Sequence, residues 1–499
     1  MICIYTAPGL KQCLMKTHIG SLPYDIIAII NDHFTSLRTV IRLKHINRHW
    51  FNYSYFINTR GIDHNKLLEH NFRLIINNVD FPRPHKNILG MDLYAQNCLF
   101  NDSYIKNFPQ LIHLTYYNSH FLTEKGFIHL KELKYLSCNV CKFSPAMLCY
   151  FPNLETLKLS NAIYDISQQP TFNLNIKYLM ICRTYADDLW LQCMPNLTHL
   201  SCDDKCAFTN EGLSSLKHLE HLDCSEIKTI TDEGLKNLPN LTNLECSNMI
   251  TITNKGLRYI AKQLRYLRYE YCPNISSEGI KYLVNLVSLE ADNVNDDALI
   301  HLTKLTYLNI SEITNSVTDE GIKNLTQLKT LICSDNNHIT EQGFKYLTNL
   351  INLDYSGNEP LLVITDTYTL VPFTGAPVFT KYLSKLKYLT CTGTMISDLH
   401  LQYLTNLKKL NCYDCPNITN EGIKSLTNLT HLNCSWCANI TDEGIMNLSN
   451  LRNLICGRCT GITIKGINHL TNLTDLHCTY SPEFDDLLKS RGIIVKYCY

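Results

Sequence analysis

The chain has 499 residues, with 45 lysines and arginines against 45 aspartates and glutamates. This balanced charge gives no electrostatic case for nucleic acid or an anionic membrane surface as a partner. The sequence contains no run of about 18 apolar residues that would predict a membrane-spanning helix. The first twenty residues lack the apolar core of a signal peptide, so the 23 cysteines favour reduced thiols in the cytoplasm or nucleus.

Two short stretches between residues 21 and 56 have apolar residues at helical spacing. Pro23 stands at a position suited to the first turn of the first helix. Two or three short helices make a small core that a partner or the rest of the chain must cover. On spacing alone, one interpretation is a helical cap that closes the end of the segment that follows.

The same stretch resembles the F-box, a motif that docks on the Skp-type adaptor of cullin–RING ubiquitin ligases. Residues 22–27, LPYDII, match the opening of that family, and residues 46–50, INRHW, match its later basic and aromatic run, although Asn47 stands where serine is common. The resemblance implies an F-box-like helical domain at residues 18–57. The adaptor-binding residues that it implies, with Trp50 in a packing role, are Leu22, Pro23, Ile26, Ile30, Leu37, Leu43 and Trp50.

Residues 58–87 are interpreted as a linker that ends near Pro82 and Pro84. Their apolar content is high enough for an ordered segment, and a helix that fixes the F-box-like domain relative to the rest of the chain is one possibility. From residue 88 a different pattern begins.

A fixed repeat of about 22 residues occupies residues 88–499. Leu407, Leu410, Cys412 and Cys415 show its opening, which predicts a short strand and a turn. A threonine followed by acidic residues and glycine then predicts a capped helix. Such periods are typical of solenoids, so we predict an α/β leucine-rich-repeat solenoid, or horseshoe. The repeats resemble the cysteine-containing class that often accompanies F-boxes. The 18 repeat starts are residues 88, 111, 133, 154, 176, 197, 219, 241, 264, 286, 305, 328, 350, 386, 407, 429, 451 and 473.

Three features depart from the plain repeat. A glycine recurs at one helix position, as at Gly343 and Gly444, and predicts a close approach to the neighbouring repeat. Residues 359–380 form an insertion whose prolines exclude one regular element and whose apolar residues favour an ordered or partner-binding loop. Residues 482–499 are expected to form a C-terminal cap with a last helix and strand.

Four Cys-x-x-Cys pairs, such as Cys412 with Cys415, have the spacing of a zinc or redox site. The repeat itself explains that spacing, because the first cysteine fills an inward strand position and the second closes the turn. We therefore expect no metal, no cofactor and no catalytic residue. A catalytic-cysteine ligase or a metalloprotein is the alternative that metal analysis would test.

The outward positions of the middle strands carry an acidic set of residues that would line the concave face. Arg268 is the only basic residue among them, and Tyr178, His199, His221 and Tyr307 lie nearby. A solvated charged surface and a groove for a basic partner segment are both compatible with this pattern. The predicted partner-binding residues are Asp203, Asp223, Glu245, Tyr266, Glu270, Glu290 and Asp292.

The resemblance implies a substrate-recognition subunit of a Skp–cullin–F-box ubiquitin ligase, not itself an enzyme. Its partners would be a Skp-type adaptor, a cullin and a target protein, the target held on the concave repeat face. The composition resembles that of F-box and repeat proteins of giant DNA viruses, in which case the adaptor would come from a host. The alternative is a leucine-rich-repeat interaction scaffold with no link to a ligase.

Overall fold

The computed structural model describes residues 72–76, 88–93, 101–117, 122–140, 143, 145–162, 174–311, 316–336, 338–357, 363–364, 370–371, 379–480, 484 and 491–498. The F-box-like domain predicted at residues 18–57, with all of its adaptor-binding residues, lies outside these ranges. The chain divides into two compact units, one formed by Met1–Ile230 and Asn237–Asn240 and the other by Thr231–Lys236 and Leu241–Tyr499.

The described part of the first unit contains a parallel sheet whose strands pair in chain order. Its strands are β1 Phe72–Ile76, β2 Ile88–Leu93, β3 His113–Tyr117, β4 Tyr135–Asn139, β5 Thr156–Ser160, β6 Tyr178–Cys182, β7 His199–Cys202 and β8 His221–Asp223. The helices between them are α1 Asp102–Ile105, α2 Glu124–Phe127, the 3₁₀ helix Pro145–Tyr150, α3 Asp188–Gln192 and α4 Asn210–Ser214.

The second unit repeats this alternation of strand and helix. Its strands are β9 Asn243–Glu245, β10 Tyr266–Tyr269, β11 Ser288–Ala291, β12 Tyr307–Asn309, β13 Thr330–Ile332, β14 Asn352–Asp354, β15 Val363–Ile364, β16 Leu370–Val371, β17 Tyr388–Thr390, β18 Lys409–Asn411, β19 His431–Asn433, β20 Asn453–Cys456, β21 Asp475–Thr479 and β22 Ile494–Cys498. Its helices are α5 Asp232–Lys236, α6 Asn254–Ile260, α7 Ser277–Ile280, α8 Asp296–Leu299, α9 Asp319–Ile322, α10 Glu341–Phe344, the 3₁₀ helix Phe379–Tyr382, α11 Asp398–Leu401, α12 Asn420–Ile423, α13 Asp442–Ile445 and α14 Ile464–His469.

The strands alternate buried and exposed residues as the repeat predicts. In β10, Leu267 and Tyr269 are fully buried, whereas Tyr266 and Arg268 are partly exposed. Successive strand residues point to opposite faces, so one face of each sheet packs on the helices and the other carries the exposed side chains. The prediction of an α/β leucine-rich-repeat solenoid is confirmed.

The helix starts are joined from repeat to repeat by a recurring hydrogen-bond arrangement, which we call the helix-start ladder. Asp319, the first residue of α9, accepts a 2.7 Å hydrogen bond from the backbone N–H of Thr340 and a 2.5 Å hydrogen bond from its hydroxyl. Thr340 in turn caps α10 by accepting from the N–H of Gln342. Each helix start with such a threonine is therefore anchored to the repeat before it. The other aspartates and their threonine donors are Asp102 with Thr123, Asp188 with Thr209, Asp232 with Thr253, Asp296 with Thr318, Asp398 with Thr419 and Asp442 with Thr463.

The recurring glycines lie against this ladder. A Cβ atom on Gly343 would lie 2.6 Å from Oδ1 of Asp319 and 2.7 Å from Cδ1 of Ile322. A Cβ on Gly444 would lie 2.6 Å from Oδ1 of Asn420, the residue in the same place one repeat earlier. The prediction that these glycines permit a close approach between repeats is confirmed, and the group that approaches is the ladder carboxylate or amide.

At both ends of the repeat array and in the insertion, the structure adds strands to those that the repeat pattern predicts. β1, Phe72–Ile76, lies within the predicted linker and pairs in parallel with β2, so a linker helix over these residues is wrong and the sheet begins earlier than residue 88. Within the insertion, β15 and β16 form an antiparallel pair. Near the C-terminus, β22 pairs with β21, and the Arg491 guanidinium donates to the carbonyls of Ile467 and Leu470 at the end of α14.

Candidate functional site: the exposed strand face

The exposed side chains of the strands form a surface in each unit, which we call the strand face of that unit. In the second unit the register of β9, β10 and β11 places Arg268 directly beside Glu245 on one side and Glu290 on the other. Neighbouring strands lie about 4.8 Å apart, so side chains of this length reach one another across the sheet. Parallel pairing in register thus gathers charges that the sequence separates by more than twenty residues.

Five residues of this face, Glu245, Tyr266, Arg268, Glu270 and Glu290, form what we call the acidic cluster. Arg268 donates to Oε1 of Glu270 from Nη2 at 3.2 Å and from Nε at 3.3 Å. Its Nε also lies 3.7 Å from Oε2 of Glu290, and the Tyr266 hydroxyl donates to Oε1 of Glu290 at 3.4 Å. Two carboxylates thus contact one guanidinium and a third, that of Glu245, lies on the neighbouring strand beside it, which leaves an excess of negative charge.

The surroundings of the cluster raise the pKa values of two phenols, those of Tyr266 and Tyr307. Burial raises the pKa of Tyr266, and the carboxylates of Glu245 and Glu290 raise it further. The pKa of Tyr307 on β12 is raised by burial and by Glu290. Both phenols therefore stay protonated at neutral pH and act as hydrogen-bond donors to carboxylates. The Glu290 side chain is only 19% exposed, whereas that of Arg268 is 43% exposed.

This arrangement offers a cation several carboxylate oxygens. A lysine or arginine from another molecule would meet carboxylates that are already partly desolvated and held in place by hydrogen bonds, so little side-chain entropy would be lost on binding. The tyrosine rings offer apolar surface to the stem of such a side chain. The surface thus suits recognition of a basic segment.

Two of the predicted site residues are engaged in turns of the backbone. Asp203 accepts a 2.6 Å hydrogen bond from the N–H of Arg183, and Asp292 accepts a 2.5 Å hydrogen bond from the N–H of Tyr271. Arg183 and Tyr271 have φ angles of 49° and 55°, in the left-handed region. Each aspartate therefore stabilises the unusual turn of the preceding repeat. Asp292 is 8% exposed.

Asp223 also closes a turn. Its Oδ1 accepts hydrogen bonds from the N–H and the hydroxyl of Ser225, and its Oδ2 accepts from the hydroxyl of Ser201 on the neighbouring strand. The same contacts to a residue two positions later recur at Asp354 in the second unit. Of the seven predicted partner-binding residues, Glu245, Tyr266, Glu270 and Glu290 come together, and the three aspartates are bound to nearby turns.

The strand face of the first unit carries stacked rings that sequence reasoning noticed only in part. His113 and Tyr135 stack with ring centroids 4.0 Å apart, and His199 and His221 do so at 4.0 Å with Tyr178 at 5.5 Å from His199. Burial lowers the pKa of His199, and the neighbouring His221 lowers it further. The sequence feature that indicates these stacks is an aromatic or histidine residue two places after a repeat start. Rings at this position become neighbours because the strands pair in register.

The cysteines of three Cys-x-x-Cys pairs, which begin at Cys412, Cys434 and Cys456, are buried. The thiols of Cys415, Cys437 and Cys459 donate to backbone carbonyls of the preceding repeat at 2.8–2.9 Å. Within one pair, contact with Cys437 and burial raise the pKa of the Cys412 thiol, whereas contact with Cys391 lowers the pKa of the Cys415 thiol to about 7. In the described ranges, no group of three or more histidine, cysteine or acidic residues is arranged to hold a metal ion.

No helix within the described part of the chain is both long enough and apolar enough to cross a membrane. The adaptor-binding residues predicted between Leu22 and Trp50 belong to the part of the chain outside the described ranges.

The sequence matches no protein-family model and no curated protein. Among solved structures, the chain is similar to a leucine-rich-repeat protein of Leptospira interrogans, with 22% identity and a TM-score of 0.43 over 83% of this chain and 96% of that chain. It is also similar to an internalin of Listeria monocytogenes, at 21% identity and a TM-score of 0.39 over 70% and 88% of the two chains. A yeast complex of Rad7 and Elc1 matches at 18% identity and a TM-score of 0.39 over 62% and 83%.

Proposed function

We propose that this chain is the substrate-recognition subunit of a Skp–cullin–F-box type ubiquitin ligase. The F-box-like residues 18–57 would dock the adaptor, and the strand face would bind a target protein. The observation that carries the binding role is the acidic cluster, whose carboxylates are held in place with an excess of negative charge. The adaptor role is supported by the resemblance of residues 22–27 and 46–50 to the F-box.

The target is proposed to present a basic segment to the acidic cluster. Opposite charges speed the encounter and reject acidic competitors, and the partly desolvated carboxylate of Glu290 adds affinity once a cation is seated. The chain itself performs no chemical step in this proposal. It holds a target so that one of its lysines lies near a ubiquitin-loaded enzyme brought by the cullin.

A repeat scaffold without a ligase link is the second candidate. The observation in its favour is that β1 already belongs to the repeat sheet, so the helices predicted at residues 18–57 would precede the first repeats closely enough in sequence to serve as their cap. A cap would also bury the apolar residues from Leu22 to Trp50, but it would do so against this chain and leave no surface for an adaptor.

The two candidates are separated by capture of a purified Skp-type adaptor and cullin on the immobilised full chain. A Leu22→Ala/Pro23→Ala variant is expected to lose the adaptor. A Thr35→Ala/Ser36→Ala variant is a matched control, because it changes two residues of the same stretch outside the implied contact set. Capture by the unaltered chain and the control, with loss in the first variant, supports the adaptor role. Equal capture by all three, or none from folded chain, overturns it.

A further inference from the structure

Lys158 is an unusual residue on the strand face of the first unit. It is the only lysine or arginine in strands β3–β8. Its Nζ lies 5.1 Å from the ring centroid of Tyr178 and 5.9 Å from that of Tyr135, so the cation is held between two aromatic rings. Among the described residues, no carboxylate lies within ion-pair distance of its Nζ.

Folding alone does not call for a cation at this position. The register pairs Lys158 with Ser137 on β4 and Met180 on β6, so neighbouring repeats fill the place with neutral side chains. Burial lowers the pKa of Lys158, which shows that the site disfavours the charge. Contact with the tyrosine rings offsets part of this cost. A half-buried cation with no anion beside it among the described residues can pair with an anion from another molecule.

The surroundings determine which anion fits. The stacked pair His113–Tyr135 lies on one side of Lys158, and the stack of Tyr178, His199 and His221 lies on the other. Burial lowers the pKa values of His199 and His221, so these rings are neutral near pH 7. One full positive charge flanked by neutral rings matches a singly charged carboxylate better than a phosphate, which prefers several cations.

Strand spacing sets the pattern of side chains that would reach these groups. An extended segment that crosses the strands advances about 6.6–6.8 Å for every two residues, which is roughly one and a half strand spacings. With an acidic residue at Lys158, the residues two places before and after it would reach the ring stacks on the two sides. Those residues would be aromatic, because offset or edge-on ring contacts are favourable there.

We propose that the strand face of the first unit binds an extended partner segment of the form aromatic–x–Asp/Glu–x–aromatic, with its carboxylate paired to Lys158. This site is separate from the acidic cluster and selects the opposite charge. It requires no ligase role, so it holds whether the chain docks an adaptor or acts as a scaffold.

Fluorescence anisotropy with a labelled Trp-Ser-Glu-Ser-Trp peptide and the full chain tests the proposal. Lys158→Met keeps an apolar side chain like that of Met180 and removes the charge, and Lys158→Arg keeps the charge. We expect Lys158→Met to weaken peptide binding by roughly tenfold, the equivalent of about 1.4 kcal/mol, and Lys158→Arg to stay within about threefold of the unaltered chain. Equal urea midpoints for the three proteins establish that the fold is unchanged.

Two further peptides separate this site from the acidic cluster and from phosphate recognition. An arginine-rich peptide is expected to bind Lys158→Met as well as it binds the unaltered chain, so loss of only the acidic peptide assigns the effect to this site. Equal binding of the acidic peptide to Lys158→Met, or no binding to the unaltered chain, overturns the proposal. Much tighter binding of the same peptide with phosphoserine in place of glutamate also overturns it, in favour of a phosphate site.

Discussion

The helix-start ladder and the acidic cluster of the second unit arise from the same repeat but are built in opposite ways. At the ladder the same aspartate, threonine and glycine recur, and each aspartate accepts two hydrogen bonds from the next repeat. At the strand face the equivalent position holds Glu245, Arg268, Glu290 and then Asn309 in four successive strands. Positions whose residue type recurs from repeat to repeat stabilise the fold. Positions whose residue type differs between repeats can contribute to the recognition of a partner.

One residue of the strand face bonds to the backbone as the ladder aspartates do, whereas its neighbours bond to side chains. Asp292 is on this face by sequence but accepts the N–H of a left-handed turn, as a ladder residue accepts the N–H of a helix start. Glu270 and Glu290 contact side chains instead of the backbone. A residue's partner, rather than its place in the repeat, therefore decides whether its loss affects stability or binding.

The largest effect is expected at the ladder. Asp319→Ala removes the acceptor of both hydrogen bonds from Thr340, and the backbone N–H of Thr340 then lacks that partner. The free energy of unfolding should therefore fall by about 3 kcal/mol. Asp319→Asn is the matched control, because Asn420 fills the same place and accepts from the N–H of Thr441 at 2.8 Å. Urea unfolding followed by circular dichroism measures both. Equal losses for the two variants would contradict the ladder's role.

A smaller loss of stability is expected at Asp292. Asp292→Ala should lower the free energy of unfolding by about 2 kcal/mol, because a hydrogen bond from the Tyr271 N–H to a buried carboxylate is removed. The control is Glu270→Gln, which changes a carboxylate of the same face that accepts its hydrogen bonds from the Arg268 side chain. If Glu270→Gln proves as destabilising as Asp292→Ala, the distinction between backbone and side-chain partners fails.

A still smaller effect depends on pH and lies at the start of α11. His400 is buried, and its Nδ1 accepts a hydrogen bond from the N–H of Ser397. Burial lowers the pKa of His400 below its usual 6.5, so the unfolded chain binds a proton that the folded chain excludes. Stability is then fully present above about pH 6.5 and is lost as the pH falls toward the folded pKa.

His400→Gln keeps an acceptor at the third helix position and does not titrate. Its unfolding free energy should depend less on pH between about pH 7.5 and 5.5 than that of the unaltered chain, and an identical slope would contradict this account.

The repeat pattern predicts the strands, the helices, the buried positions of the paired cysteines and the close approach at the glycines. It does this because those features depend on local spacing and on contacts exactly one repeat apart in the sequence. The pattern does not predict β1, because its apolar residues have no repeat spacing to the next segment and parallel pairing is not a local property.

The site was predicted in part for a related reason. Tyr266, Glu245, Glu270 and Glu290 were found because their strand positions and charges are visible in the sequence. The turn contacts of Asp203 and Asp292 depend on left-handed residues in the preceding repeat, Arg183 and Tyr271, whose side chains give no hint of that conformation. The position of Lys158 between two rings could not be predicted, because it depends on the register of three strands.

The most direct measurement combines stability and binding on one variant of the acidic cluster, Glu245→Gln/Glu270→Gln/Glu290→Gln. Its free energy of unfolding should stay within about 1 kcal/mol of that of the unaltered chain, since these are partly exposed side-chain ion pairs. Its affinity for an arginine-rich peptide at low ionic strength should fall by more than about tenfold. Unchanged affinity in a folded variant would contradict the central claim. That claim is that these three glutamates contribute little to stability and recognise a basic partner.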